Sequence, residues 1–269
     1  MKNKRLIILI SIFAFLILIV VLCSTLFTVK NISVNWLTTL PKEHVLIGKD
    51  GEMCESIEKG GSIFLYDKES ARVTLEEKYP YLNVVKIETK FPNKLVLHVA
   101  DRQELFALKL NNDCYAILDG TNKVLAKYNG LQYEALSETS NPPILVEVSG
   151  QTITTDEIFV GKIAQISRIS SVLSSTHEAI KRHSYEDVYA KGFIKKLNIN
   201  LDYNSNITLS TSYNIDIKIT KISEDLTFKI TGGIAAYNKA REKGQSNGTL
   251  IIRQIGPDQI DSEFIQNQI

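Results

Sequence analysis

Residues 62–108 read SIFLYDKESARVTLEEKYPYLNVVKIETKFPNKLVLHVADRQELFAL, and the periodicity of this stretch decides the fold. Asp67 is a good helix N-cap, Ala71 and Leu75 fall on one helical face at i and i+4, and Pro80 stops the turn. Residues 82–91 and 94–101 then read as two strands around a tight Pro92-Asn93 turn. In the first, Val85, Ile87, Thr89 and Phe91 oppose Val84, Lys86, Glu88 and Lys90; in the second, Leu95, Leu97 and Val99 oppose Lys94, Val96 and His98. Upstream, Ile32, Val34 and Trp36 alternate with Ser33 and Asn35, the period of a half-buried strand. Between them Pro41, Gly48, Gly51 and Gly60 leave room for one short helix, around residues 52–59. Strand, helix, helix, strand, strand is the order of a small α+β module.

Before that module, residues 6–27 read LIILISIFAFLILIVVLCSTLF. A helix of that length rises about 33 Å, enough to cross a hydrocarbon core of about 30 Å. A cleaved signal peptide carries a shorter apolar stretch, about 7–15 residues, followed by small residues, and a soluble core helix is seldom apolar on every side for six turns. Cys23 follows Leu22, not the small residue of a lipoprotein signal. Lys2, Lys4 and Arg5 precede the run and no charge interrupts it, so residues 1–5 are expected in the cytoplasm and everything from about residue 28 outside.

The whole chain has 269 residues, 31 Lys and Arg against 30 Asp and Glu, and 44% hydrophobic residues, a globular composition. Of the net charge of +1, the first five residues supply +3, so the rest carries −2. Such a balance supplies no clustered cations for phosphate and argues against nucleic-acid binding. Outside the apolar run, Cys54 and Cys114 can form one disulfide in an oxidising space or remain free thiols. There is no C-x-x-C, hence neither a zinc ribbon nor a thioredoxin-type motif.

The later half is richer in strands. Short strands are expected at 105–110, 115–119 and 123–127, with turns at Asn111-Asn112-Asp113 and Asp119-Gly120, and another at 144–148 after Pro142-Pro143. Ile158, Ile163, Ile166, Ile169 and Val172 predict a helix over 156–174, capped by Thr155 or Asp156. A meander at 197–201, 207–210 and 216–220 follows, then a helix over 224–242, a loop over 244–248 and a strand over 249–255. From Gly256 the tail is polar and expected to be loose.

Fragments that imitate catalytic motifs fail on context. Residues 244–248, GQSNG, match G-x-S-x-G, but a nucleophile elbow lies between a strand and a helix, whereas this loop follows a helix and precedes a strand. No His follows Ser246. His177-Glu178 begins an H-E-x-x-H whose second His is replaced by Lys181, and His183 lies about 240° further around a helix. His44 and His98 are isolated, and Gly232-Gly233 lacks the Lys-Ser/Thr of a P-loop. Acidic pairs such as Glu76-Glu77, Asp156-Glu157 and Glu224-Asp225 sit where helix ends and solvated faces carry charge. No catalytic residue, metal ligand or cofactor site is assigned.

The chain resembles the FtsQ/DivIB family of bacterial cell-division proteins. Phe64, Pro80, Leu82, Val84, Val85, Ile87, Phe91, Pro92, Asn93, Leu95, Leu97, Val99 and Arg102 stand at positions like those of the family's POTRA domain, and Asp119-Gly120 resembles the D-x-x-G after it. Asp101-Arg102-Gln103-Glu104 departs from the usual Glu-Arg and Pro. The later half resembles the family's β domain more loosely, through a Lys162-containing helix, a Lys229-containing helix and Gly248-Thr249-Leu250-Ile251-Ile252-Arg253, where Ile251 replaces an expected acid.

The resemblance implies an α+β protein with five parts: a cytoplasmic tail (1–5), a transmembrane helix (6–27), a POTRA-like β-α-α-β-β domain (28–101), a mixed β domain with two longer helices (102–255) and a flexible C-terminal tail (256–269). It implies a single-pass membrane scaffold of the division septum, without enzyme activity, small-molecule substrate or nucleic-acid partner. Such a scaffold binds division proteins of the FtsB/DivIC and FtsL type and helps regulate septal peptidoglycan synthesis. If strand 249–255 ends a sheet, its edge can accept a partner strand, with Thr249, Leu250, Ile251, Ile252 and Arg253 in contact. A second candidate partner contact runs along the POTRA unit's second strand, at Val85, Lys86, Ile87 and Glu88. The rival readings are a POTRA-containing adapter of a secretion or sporulation complex, and a membrane-tethered hydrolase using His177, Glu178 and His183.

Overall fold

The Asp67 cap forms as the sequence predicts. Its Oδ1 accepts the Ser70 N–H at 2.9 Å, and the helix it opens, α3 (Lys68–Lys78), stops before Pro80, which disfavours helical backbone in the residue ahead of it. The computed structural model describes residues 2–37, 50–183, 193–202, 205–222 and 225–267, without the side chains of 2–9, 22–24 and 167. The chain folds as two units, Met1–Arg102 and Gln103–Ile269.

The first unit holds α1 (Lys2–Leu26), β1 (Asn31–Trp36), α2 (Asp50–Glu55), α3, β2 (Leu82–Lys90) and β3 (Lys94–Asp101). Most of the expected linker before α2, residues 38–49, lies outside the described residues. Of the apolar run, side chains are described for 10–21 and 25–27; among the described residues no helix is long and apolar enough to cross a membrane. The sheet order is β1-β3-β2, with β1 parallel and β2 antiparallel to the central β3. Leu95, Leu97 and Val99 of β3 are fully buried, together with Met53, Leu75 and Leu82.

Strand β2 departs from strict alternation. Its register shifts between Val84 and Lys86, so Val85 is the extra residue of a β-bulge, 55% exposed, while Val84 and Ile87 are both buried. A bulge resets the face by one residue, which is why Val85 and Ile87 do not share a face as expected.

Glu76 and Arg102 bind this strand to α3. Arg102 Nη2 lies 2.8 Å from Glu76 Oε2, with the two side chains 10% and 8% exposed; Arg102 Nε donates to Leu82 O at 3.0 Å, and Glu76 Oε1 accepts the Val84 N–H at 2.9 Å. A buried pair broken on one side leaves an uncompensated charge. Arg102→Ala is therefore expected to lower the unfolding free energy of this unit by about 3 kcal/mol or more in urea titration; a change below about 1 kcal/mol would contradict that role.

The second unit is a sheet of nine strands in the order β12-β11-β10-β9-β8-β7-β4-β5-β6. These are β4 (Phe106–Lys109), β5 (Cys114–Leu118), β6 (Val124–Asn129), β7 (Ile144–Ser149), β8 (Ile194–Asn200), β9 (Asn206–Thr211), β10 (Ile215–Thr220), β11 (Gly248–Gly256) and β12 (Gln259–Gln266). Helix α4 (Gly130–Ser137) follows β6 and opens with a capping box between Asn129 and Gln132. Helices α5 (Ser167–His183) and α6 (Leu226–Glu242) lie in the chain between the parallel pairs β7/β8 and β10/β11, as parallel neighbours require a crossover. The expected start of α6 at Glu224 is outside the described residues.

Helix α5 differs from the expectation of 156–174. Gly161 takes φ +86, a left-handed turn that no helix continues through. Residues 155–157 form a single 3₁₀ turn, Ile158 and Ile166 are buried from the loop, and Ile163 is 61% exposed. The true helix buries Ile169, Val172, Leu173, Thr176, Ala179 and Ile180, and Lys162 lies in the turn before it. Gly233 lets α6 approach the sheet: a Cβ there would meet Ile217 Cγ2 at 2.8 Å and Ile252 Cγ1 at 3.3 Å.

Candidate functional site

The chemistry-bearing residues do not converge. His177 packs on the Asp119 turn, where a Cβ on Gly120 would lie 2.2 Å from its Cε1, and His183 Nε2 makes a 2.9 Å hydrogen bond with Thr231 O, tying α5 to α6. Residues 244–248 join α6 to β11, in the order helix, loop, strand. Among the described residues no group of three or more His, Cys, Asp and Glu is placed to hold a metal ion. Cys54 and Cys114 are free thiols, and burial together with Asp50 pushes the Cys54 thiol up from its ordinary value.

The structure places the two candidate partner-binding strands differently. Strand β11 is interior: Asp216, Ile217, Lys218 and Ile219 of β10 pair with Thr249, Leu250, Ile251 and Ile252 on one side, and β12 pairs along the other. The loose tail expected from Gly256 is in fact this twelfth strand. Thr249–Arg253 therefore has no open backbone edge, a correction that moves the edge one strand outward. The cue in the sequence was slight, because Ile260, Phe264 and Ile265 are the only apolar residues from 258 to 268.

Among the described residues, strand β12 is paired at one side only, with β11. Ile260 and Phe264 pack against the core, a Cβ on Gly232 of α6 would touch Ile260 Cδ1 at 2.2 Å, and Arg253 pairs with Glu263 at 3.3 Å on the open face. The Asn267 N–H donates to Asn247 O at 3.1 Å, continuing the register of the pair. Alternation of an antiparallel ladder then turns residues 261, 263 and 265 toward β11, and the N–H and C=O groups of Ile260, Ser262, Phe264 and Gln266 outward. At the opposite end of the sheet, β6 meets the 161–164 turn, through Val124 N to Lys162 O at 2.9 Å and Gly161 N to Val124 O at 2.8 Å.

In the first unit β2 is one of the sheet's two terminal strands, and Val85, Lys86, Ile87 and Glu88 lie on it. Glu76 and Arg102 engage its first half, whereas the bulge turns Val85 outward. Glu88 Oε2 lies 3.1 Å from His98 Nε2; that hydrogen bond, with Lys86 and Lys90 nearby, holds the Glu88 carboxyl below its ordinary value. The small stabilisation this gives is present above the ordinary carboxylate range and is lost as pH falls through the lowered value.

A β-α-α-β-β unit followed by a wide mixed sheet that ends in a one-sided strand defines a POTRA-containing protein, and residues 54–102 match the family model described as "POTRA domain, FtsQ-type". The chain is also 27% identical over 223 residues to "Cell division protein DivIB" of Clostridium botulinum (strain Hall), covering 81% of this chain and 80% of that protein. A DivIB of strain Loch Maree is 27% identical over 199 residues, covering 73% and 71%. These similarities support the FtsQ/DivIB family of cell-division proteins as the one this chain resembles.

Docking of β12 depends on Gly248, where a Cβ would meet Ile265 O at 2.6 Å and Phe264 Cζ at 2.5 Å. Backbone cannot yield as a side-chain end can, so Gly248→Val is expected to release β12 while β7–β10 stay protected. Amide hydrogen exchange would show faster exchange over 259–266 alone; unchanged exchange there would refute the packing argument.

Proposed function

We propose that this protein is a membrane-anchored scaffold of the division machinery that captures an extended segment of another division protein on β12. The outward row of backbone groups on β12 is the observation that carries the reading, since an uncovered strand edge takes up a further strand through main-chain hydrogen bonds. A strand added there meets Ile260 and Phe264 on one face and Asp261, Glu263 and Ile265 on the other. That surface favours a partner alternating apolar and basic residues. Partners of the FtsB/DivIC and FtsL type, the septum as location and regulation of septal peptidoglycan synthesis follow from the family. No catalytic step is assigned to it.

The anchor is α1. Its bounds, Lys2–Leu26, cover nearly all of the apolar run 6–27, and the cations at its start favour a cytoplasmic N-terminus. The bulged β2 edge, with Val85 turned out beside Lys86 and Glu88, supports a second protein contact on the POTRA unit.

Ser262→Pro tests the main reading. It removes one outward N–H and spares the ladder to β11, a position an edge strand tolerates. The full-length variant is expected to keep its thermal unfolding and to capture a DivIC-type partner about ten-fold more weakly, the loss expected for one or two main-chain hydrogen bonds. Capture unchanged by Ser262→Pro would remove β12 as the docking strand.

A further inference from the structure

We infer that Phe27, Phe64, Leu65 and Phe91, ringed by Lys30, Lys90 and Lys94, form a surface that seats the POTRA unit on the lipid interface; this rests on the reading of α1 as a membrane span. The three phenylalanine rings touch in a closed triangle, with centroids 5.2, 5.3 and 6.2 Å apart. They come from three places: the end of the apolar run, the loop before α3 and the β2–β3 hairpin. Phe64 and Phe91 are each 62% exposed, and Leu65 is 87% exposed. Phe27 is half-buried; packing Phe64 and Phe91 together while leaving most of their area in water forfeits the burial that usually accompanies such contacts, at about 25 cal/mol per Å², and marks an interaction surface.

The position of the cluster selects the occupant. Helix α1 ends at Leu26, and Val29 is already buried. The chain between is stitched to the POTRA unit by Ile63 N to Phe27 O at 2.8 Å, Val29 N to Gly61 O at 2.9 Å, Gly60 N to Val29 O at 3.0 Å and a bridge between Thr28 and Ser62. No free linker separates span from domain, so the rings sit where the helix leaves the hydrocarbon.

The surrounding charge matches a headgroup layer. Lys90 and Lys94 face each other at the mouth of the hairpin, and the Lys30 N–H is bonded to Asn93 O at 3.0 Å. All three lysines are exposed. Aromatic and leucine side chains enter the boundary between acyl chains and headgroups while lysines reach phosphate, which suits an anionic bilayer.

The test uses the full chain in phosphatidylcholine and phosphatidylglycerol vesicles, with and without brominated acyl chains. Tryptophan is added singly as Leu65→Trp, Leu16→Trp or Val85→Trp, and the emission of the parent Trp36 is subtracted. Val85 lies about 20 Å along β2 from Phe91. The added emission of Leu65→Trp and of Leu16→Trp is expected to fall roughly two-fold or more with brominated lipid, while Val85→Trp stays constant. Quenching of Leu16→Trp without Leu65→Trp would overturn the seated surface and leave the span standing. Loss of quenching in both would overturn the span and this inference with it. Blue-shifted but unquenched emission from Leu65→Trp would place a protein, such as a second copy, on the patch, and would also overturn the inference.

Discussion

The approach of α6 to the sheet is the constraint on which the second unit depends. For β11 to run parallel to β10 the chain must return along the sheet, and α6 lies flat because Gly233 has no Cβ to press on Ile217 and Ile252. Once β11 is placed beside β10, its other side needs a partner for a row of buried backbone groups. The chain supplies one by turning at residues 256–259 and running back as β12. Gly232 and Gly248 fit that strand by leaving space for Ile260 and for Phe264. The open edge of β12 is thus the last step of a sequence of packing requirements.

The first unit follows a comparable rule at smaller scale. The bulge at Val85 lets Val84 and Ile87 both enter the core, and Glu76 with Arg102 takes up polar groups along the first half of β2. A strand edge is in this way partly closed by side chains. Arg102, one of the residues that resembled the family pattern, therefore matters for an evident reason: it ties the end of the unit to α3 and β2.

Local order was legible in the sequence wherever one period governed a segment. The burial of Leu95, Leu97 and Val99, the Asp67 cap and the stop before Pro80 follow from rules that act within a few residues. Pairings between distant strands, such as β4 with β7 or β10 with β11, leave no mark in local periodicity. The bulge was hidden because Val84, Val85 and Ile87 are all apolar and either register satisfies them. Ile158 and Ile163 imitated a helical face across Gly161, whose left-handed backbone was the one available warning. Strand β12 was missed because a strand buried along part of one face needs few apolar residues, and Ile260 and Phe264 suffice.

The edge on β12 carries the central claim, and amide hydrogen exchange resolved by residue tests it most directly. With saturating DivIC-type partner, the outward amides of Ile260, Ser262, Phe264 and Gln266 should slow markedly, while those of Asp261, Glu263 and Ile265, already bonded to β11, should change little. Partner binding that leaves the outward amides exchanging as in the free protein would contradict capture by strand addition.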